Sequence, residues 1–403
     1  NKSISLQNYN SRNAYGSIIY VYYYGNDNPF VISNATFVDA QSIGPGACIY
    51  FNTELPCPFY MHNILIKNVY SKSTAQNWRE ERGKVHVYEK TSYFECINTT
   101  FNNTGIPNDF TNKDIKVLNT KLLIENCNFI ENGEDELTHG SCLCSRNQEL
   151  GADITIKSCT FINSGRKSSV IHVFNRHLNF INNTFLFTDS NSNARGLFVC
   201  SQCNLLVENC NFTNCGNVNS DFGGGLFYKT DGNDEKVTIT GCTFDRCVAA
   251  NSAAFRLNMR STIPIFLNST VSNMKGLYCI AYVYPTDVII YSRFTVENIK
   301  FINISNTAKD CGGSGLWINN GRNEGNIFTL FINFIDIDFI QCSTEFGGGG
   351  FGLGDSDSVK PTDLTFIRCN FIGNSCRNKA SNGGGALWIR TSANCLIQNC
   401  TFK

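Results

Sequence analysis

Twenty cysteines and nine Asn-x-Ser/Thr sequons are the residues of this 403-residue chain with the most evident chemistry. The sequons, at Asn1, Asn34, Asn98, Asn102, Asn182, Asn211, Asn268, Asn303 and Asn399, are acceptors for N-linked glycans on a secreted chain. So many cysteines point the same way, because a reducing cytosol seldom accumulates them without metal sites. Their spacing makes no metal set. The close pairs Cys142/Cys144 and Cys200/Cys203 lack the second pair a zinc site shows, and the five histidines are scattered. The bland account of the cysteines is that they are small core hydrophobes. We therefore expect an extracellular or cell-surface location, with no metal and no cofactor.

Composition narrows the partners. Lys plus Arg and Asp plus Glu are 33 each, and charged residues are only 16%. That removes the basic footprint needed for nucleic acid or an anionic membrane. At 42% apolar and 12% aromatic the chain can bury a large core. Its longest apolar run, 277–291, is broken by Pro285 and Asp287, too early for a spanning helix, so no membrane contact is expected within this segment. The chain starts at Asn1 without Met or an apolar leader and stops at Lys403 inside a repeated motif. A piece of a longer protein is the expectation.

The elements that position these residues follow from a repeat. ENCNFIEN (125–132), KSCTFINS (157–164), ENCNFTNC (208–215), TGCTFDRC (240–247), IRCNFIGN (367–374) and QNCTF (398–402) are one motif, and NATF, NTTF and NNTF are versions without cysteine. Anchored on its Phe, the series is Phe37, Ser71, Phe101, Phe129, Phe161, Phe185, Phe212, Phe244, Val271, Phe301, Phe339, Phe371 and Phe402, with gaps averaging about 30 residues. Positions seven and five before the anchor are apolar, as in Ile64/Ile66, Leu122/Ile124 and Leu364/Phe366. That alternation is a strand with one face inward.

The inward register then slips by one. At the slip stand Asn34, Asn68, Asn98, Asn126, Asn182, Asn209, Asn268, Asn298 and Asn399, with Gly241, Asp336, Ser158 or Arg368 elsewhere. Asn, Gly and Asp tolerate a left-handed backbone, so a corner between two strands is predicted, with the Asn side chains stacked in an internal ladder. A further strand opens with small residues in GGGLFYK (223–229), GGSGLWI (312–318), GGGGFGL (347–353) and GGGALWI (383–389), where the backbone must approach a neighbour closely. Helical periodicity is missing, apart from the charged stretch 76–84, which is at best one short helix or an inserted loop. The expected fold is all-β: a parallel β-helix of about 13 coils with three short strands each, one solenoid over 1–403. It is expected to be right-handed and about 60 Å long.

The pairing of a GG-small-apolar motif (Gly383-Gly384-Gly385-Ala386-Leu387) with Phe-x-x-Asn (Phe129 to Asn132, Phe371 to Asn374) resembles the repeats of polymorphic outer-membrane-protein-like passenger domains. More widely it is similar to pectin-lyase-like right-handed β-helices, in particular Cys- and Asn-rich surface proteins of unicellular eukaryotes. The resemblance covers roughly residues 16–403. It implies the fold firmly, whereas that superfold hosts lyases, hydrolases, adhesins and fibres alike. Enzymes of this kind need a carboxylate cluster with an Arg, Lys or His on one sheet. Here Asp336 takes a corner place beside Asp338, Asp355 and Asp357 read as a solvated turn, and Lys229 and Arg390 follow the Gly-rich strand without an Asp pair. No catalytic residue is assigned.

Two constellations remain. Cys127/Cys159, Cys210/Cys242 and Cys369/Cys400 hold the same inward place on consecutive coils, and Cys215/Cys247 match one another further along. A coil spacing of about 4.8 Å allows bridges between coils, a C-x4-C bridge within a coil (Cys210/Cys215, Cys242/Cys247), or a stack of thiols. Cys48/Cys57 and Cys200/Cys203 are the better bridge candidates. If Leu226, Leu316 and Leu387 point inward, alternation places Phe227, Trp317 and Trp388 outward, with Tyr50, Phe198 and Tyr278 in the same lane. Such a lane either binds sugar rings or another protein, or is covered by loops of the same chain. The Tyr-rich opening, Tyr15 to Tyr24, reads as an edge coil that docks on a further coil or a partner. The expected function is a non-enzymatic, glycosylated structural or adhesive rod of a cell surface or extracellular filament. It would associate with itself or another extracellular fibrous protein; a polysaccharide-binding or polysaccharide-degrading β-helix is the alternative.

Overall fold

The computed structural model describes residues 4–7, 18–24, 28–42, 46–71, 83–88, 90–104, 114–118, 120–131, 142–164, 169–187, 195–217, 223–230, 235–250, 252–259, 263–276, 281–285, 291–307, 313–319, 329–354, 362–377, 383–390 and 394–403. Most of the stretch 76–84 falls outside them. The regular elements among the described residues are all β-strands, and no helix there is long and apolar enough to cross a membrane. The chain divides into two compact units, Asn1–Phe198 and Val199–Lys403. Each is a stack of parallel strands, the β-solenoid that the repeat predicts.

In the first unit Phe30–Ser33, Pro58–His62, Tyr93–Ile97 and Lys121–Glu125 pair in succession. The end of Leu143–Lys157 comes next, and then Ser169–Ile181. Alternate residues of these strands (Phe59, Met61, Phe94, Cys96, Leu122, Ile124, Ile154, Ile156, Leu178, Phe180) are buried. The second unit stacks Leu205–Glu208, Lys236–Thr240, Ile263–Gly276, Tyr291–Asn306, Thr329–Ile340, Thr362–Ile367 and Cys395–Gln398 in the same manner.

The anchor residues register one over another: Phe37, Ile66, Phe101, Phe129, Phe161 and Phe185 in the first unit. In the second they are Phe212, Phe244, Val271, Phe301, Phe339, Phe371 and Phe402. Phe101 and Phe129 lie 5.0 Å apart with planes 4° from parallel, and Phe212 and Phe244 lie 4.7 Å and 4° apart. Strand spacing imposes this face-to-face stack on equivalent rings, although free aromatic pairs prefer offset or edge arrangements. Ile4–Gln7 adds a strand in the same register, pairing Leu6 with Phe37.

The second coil corrects the expected register. Ile66 is its anchor and Phe59/Met61 its inward pair, in place of Ser71 and Ile64/Ile66. Asn63, with φ 57°, holds the corner between Asn34 (φ 54°) and Asn98 (φ 52°). Asn68 is also left-handed, with φ 52°, but at a second corner two residues after the anchor, which the repeat analysis missed. That corner recurs at Asp39, Glu131, Asn163, Asn214, Arg246, Asn273, Asn303, Gln341 and Gly373. Most short anchor strands are thus clamped between two left-handed residues five apart; in Thr100–Asn102 and Thr184–Leu186 only the first corner is left-handed, Asn103 and Phe187 taking the second place without it.

The corner ladder also runs on the opposite face from the one expected. Asn63 Nδ2 donates to Asn34 Oδ1 at 3.2 Å, Asn98 Nδ2 to Asn63 Oδ1 at 3.1 Å and Asn298 Nδ2 to Asn268 Oδ1 at 2.9 Å, all on the exposed surface. The second corner carries its own rungs, from Asn68 to Asp39 at 3.0 Å and from Asn303 to Asn273 at 3.0 Å. At one rung an ion pair replaces the amides: Arg368 grips both oxygens of Asp336 at 2.7 Å. Gly241 is required where it stands, because a Cβ there would lie 2.2 Å from Asn209 Oδ1. The close approach expected of the Gly-rich strand is met at Gly225, where a Cβ would lie 2.6 Å from the Ala254 carbonyl and 2.8 Å from the Phe244 ring.

Candidate functional site

The Gly-rich strands bring the candidate lane together coil by coil. In the first unit Tyr20, Tyr50, His86, Lys116, Cys144 and His172 occupy equivalent places. In the second they are Phe227, Arg256, Tyr282, Trp317, Gly352 and Trp388. Tyr282 therefore holds the lane place expected of Tyr278, which lies outside the described residues.

Most of the lane is not open surface. Tyr50, Phe227 and Trp317 are only 7%, 5% and 6% exposed, and Phe198 and Trp388 are half-buried. Of the two expectations for an outward aromatic lane, cover by the same chain is the one observed at these residues. Trp317 donates its ring N–H to the Gly354 carbonyl at 3.2 Å, and Phe346, just beyond a second corner, packs edge-on against Trp388 at 5.7 Å. Phe198 meets His172 edge-on at 4.7 Å. The open part of the lane is tyrosine. Tyr20 is 51% exposed and lies flat on Tyr50 at 5.3 Å and 5°, while Tyr50 stacks on His86 at 5.0 Å. Tyr22 and Tyr24 are exposed beside it, and Tyr22 donates to Glu54, a bond that pushes the phenol up to about 12. Glu54 also faces Lys90 at 3.5 Å.

The cysteines form columns of thiols. Each described cysteine is unbridged, including all ten candidates (Cys48, Cys57, Cys200, Cys203, Cys210, Cys215, Cys242, Cys247, Cys369 and Cys400). Cys96 and Cys127 stack at 3.8 Å between sulfurs, well beyond the bonded distance of about 2.05 Å. The reason lies in the corners. The residue after a corner points inward and donates back to the carbonyl two residues before it, an oxygen that also accepts a backbone N–H from the neighbouring coil, as Glu125 does from Asn98 and Lys157 from Asn126. Cys127 does so to Glu125 at 3.3 Å, Cys159 to Lys157 at 3.3 Å, Cys210 to Glu208 at 3.1 Å, Cys242 to Thr240 at 3.3 Å and Cys400 to Gln398 at 3.3 Å. Ser269 and Thr99 make the same bond with hydroxyls, to Leu267 and Ile97. Cys215 and Cys247 repeat it at the second corner, so the C-x4-C spacing reflects two corners and not a bridge. Asn-Cys-Thr-Phe is thereby explained letter by letter: left-handed corner, inward donor, outward residue, stacked ring.

Burial pushes the Cys342 and Cys369 thiols up to about 12, so neither supplies thiolate at neutral pH. The sequon asparagines are mostly at the surface. Asn98, Asn182, Asn211, Asn268, Asn303 and Asn399 are exposed, Asn34 and Asn102 are half-buried, and Asn1 lies outside the described residues.

Among the described residues the candidate carboxylates do not converge. Asp336 is taken up by Arg368, Asp338 accepts from Asn370 at 2.8 Å, and Asp355 and Asp357 lie outside the described residues. Among the described residues no three His, Cys, Asp or Glu side chains form a metal-sized group. Outside the lane the structure reveals a buried cluster of Lys84, Asn103 and Asp114. It carries no repeat signal, because its members border three different strands. No family model, characterised protein or solved structure matches the chain.

Proposed function

We infer that the chain is a non-enzymatic structural or adhesive solenoid of pectin-lyase-like kind, acting at a cell surface or in an extracellular filament and carrying N-linked glycans. The observation that carries this is the content of the lane. Where a polysaccharide-cleaving solenoid would gather acids, the registered residues are Tyr20, Tyr50, His86, Lys116, Cys144 and His172 in one unit. They are Phe227, Arg256, Tyr282, Trp317, Gly352 and Trp388 in the other, without a carboxylate in either series. Acid–base cleavage of a glycosidic bond calls for a proton donor and a base facing each other. The corner amides are likewise engaged between coils, which suits load-bearing better than turnover.

One exposed surface suited to a partner is the tyrosine group Tyr20, Tyr22 and Tyr24, apolar in body and polar at the tip, which fits another extracellular protein or a second copy of this chain. One feature favours the carbohydrate alternative: Tyr20 presents an exposed ring held flat by Tyr50, a platform on which a sugar could stack. Incubating the chain with polygalacturonan and other acidic and neutral polysaccharides separates the readings. We expect no new reducing ends and no unsaturated uronides; their appearance would overturn the non-enzymatic reading. Unmodified sequons on the native protein would overturn its placement outside the cell.

A further inference from the structure

Lys84, Asn103 and Asp114 make a closed polar cluster in the interior of the first unit. Lys84 immediately precedes the strand Val85–Val87, Asp114 precedes Ile115–Val117, and those strands are paired, so the two side chains are neighbours on adjacent coils. Asn103 follows the anchor strand Thr100–Asn102 of the same coil as Lys84 and turns inward. The Lys84 amine donates to Asn103 Oδ1 and to Asp114 Oδ1, and Asn103 also hydrogen-bonds the Asp114 carboxyl. The Lys84 and Asp114 side chains are fully buried and Asn103 is 6% exposed. Strand register continues the column to Cys48 beside Lys84 and to Cys142 beside Asp114, both buried.

We propose that this cluster is a self-modification site, at which the Lys84 amine acylates itself on the Asn103 side chain to form an intramolecular isopeptide bond. The geometry supplies the reaction's requirements. The Lys84 nitrogen is held against the Asn103 amide oxygen, one bond from the amide's carbon, and a turn of either side chain that brings it over the carbonyl face replaces a bimolecular encounter by an effective concentration of about 10⁵ M or more. Of the two possible acceptors, Asn103 offers a neutral carboxamide and Asp114 an anion, so the carboxamide is the electrophile. Burial pushes Asp114 up to about 6, against the opposing influence of Lys84, so it accepts a proton more readily than an exposed aspartate.

The step balances without a co-reactant. Asp114 takes one proton from the Lys84 ammonium, and the freed lone pair forms the new C–N bond at Asn103 Cγ. Asp114 then hands its proton to Nδ2 as the old C–N bond breaks, and recovers one from the Lys84 nitrogen. The products are a secondary amide, one ammonia and a neutral Asp114. An ion pair that is costly to hold in a dry interior is thereby converted into uncharged groups. The bond ties the entry of one strand to the exit of another in a single coil, closing that turn of the solenoid covalently.

The test is peptide mapping of the intact, folded chain after denaturation, thiol alkylation and trypsin. Acylated Lys84 resists cleavage. The expected product therefore joins residues 83–90 to residues 91–113, lighter than the two peptides together by one ammonia, with fragment ions locating the branch at Lys84 and Asn103. Recovery of 85–90 and 91–113 as separate, unbranched peptides would overturn the proposal. A branch joining Lys84 to peptide 114–116 with loss of water would overturn the choice of acceptor. Lys84→Arg and Asp114→Ala should each abolish the branched product, whereas Lys90→Arg, at an exposed lysine and still cut by trypsin, should retain the branch. Because the first readout uses the unaltered chain, misfolding of a variant leaves the test intact.

Discussion

At the scale of single residues, the structure shows which side chains a corner accepts. Asn predominates because it enters the left-handed region and its amide both donates and accepts, so one residue type can extend a ladder through many coils. Asp336 and Arg368 show that the backbone requirement can be met otherwise if the side chains still bond between coils, here with a two-toothed ion pair. The hydrogen bond from Arg368, with its charge, holds the Asp336 carboxyl below its ordinary value of 3.8. A depressed folded pKa stabilises the native state above the unfolded value and loses that contribution as pH falls through the folded one. Arg368→Met should therefore lower the melting temperature slightly at pH 7. The difference from the parent chain should vanish as the pH is taken well below 3.8, and a difference that persists unchanged into acid would refute the account. Both groups are largely exposed, so salt should shrink it too.

At the scale of the element, the coil is a short anchor strand clamped by two corners, and its energy resides in stacked rings. Phe129 lies 5.0 Å from Phe101 and 4.9 Å from Phe161 and is buried. Phe129→Ala should cost about 3–5 kcal/mol. Since each coil touches its neighbours and little else, the loss should be local. Hydrogen exchange should accelerate in Asn128–Ile130 and the paired strands Thr100–Asn102 and Thr160–Ile162, and much less in Phe30–Ser33; uniform acceleration would argue against nearest-neighbour stacking. The same element explains what the letters revealed. The recurring Phe was legible because every coil seats it alike, and the first corner because Asn stands at the slip in inward register. The second coil misled because H-N-I-L-I-K-N-V contains both corner residues, Asn63 and Asn68, each followed by an apolar one. With the second corner unrecognised, either could be the first.

For the molecule as a whole, the candidate site was much less legible than the fold. Which residues share the lane followed from alternation, apart from the coil in which Tyr282 holds the place expected of Tyr278. Burial of Tyr50, Phe227 and Trp317 did not follow, since whatever covers a strand comes from segments that do not keep the repeat. Cysteine pairing was open for a different reason: equivalent places about one strand spacing apart suit a bridge and a stack equally until the thiols are seen to face carbonyls. That outcome has a global consequence. A chain whose described thiols are all unbridged owes them no covalent cross-link, so its melting temperature under nitrogen should be the same with and without an excess of reductant. A fall of several degrees on reduction would show bridges after all.

The constancy of register has a bearing on inheritance. Within either unit most coils present the same first corner and an apolar anchor in the same register, so deleting or duplicating the coding segment for one full turn by unequal recombination brings together surfaces that largely fit. A one-codon insertion between a corner and its anchor would instead rotate the ring out of the core. Alleles of this gene should thus differ by whole turns or by changes in the connecting loops, while the five-residue interval between corners stays fixed.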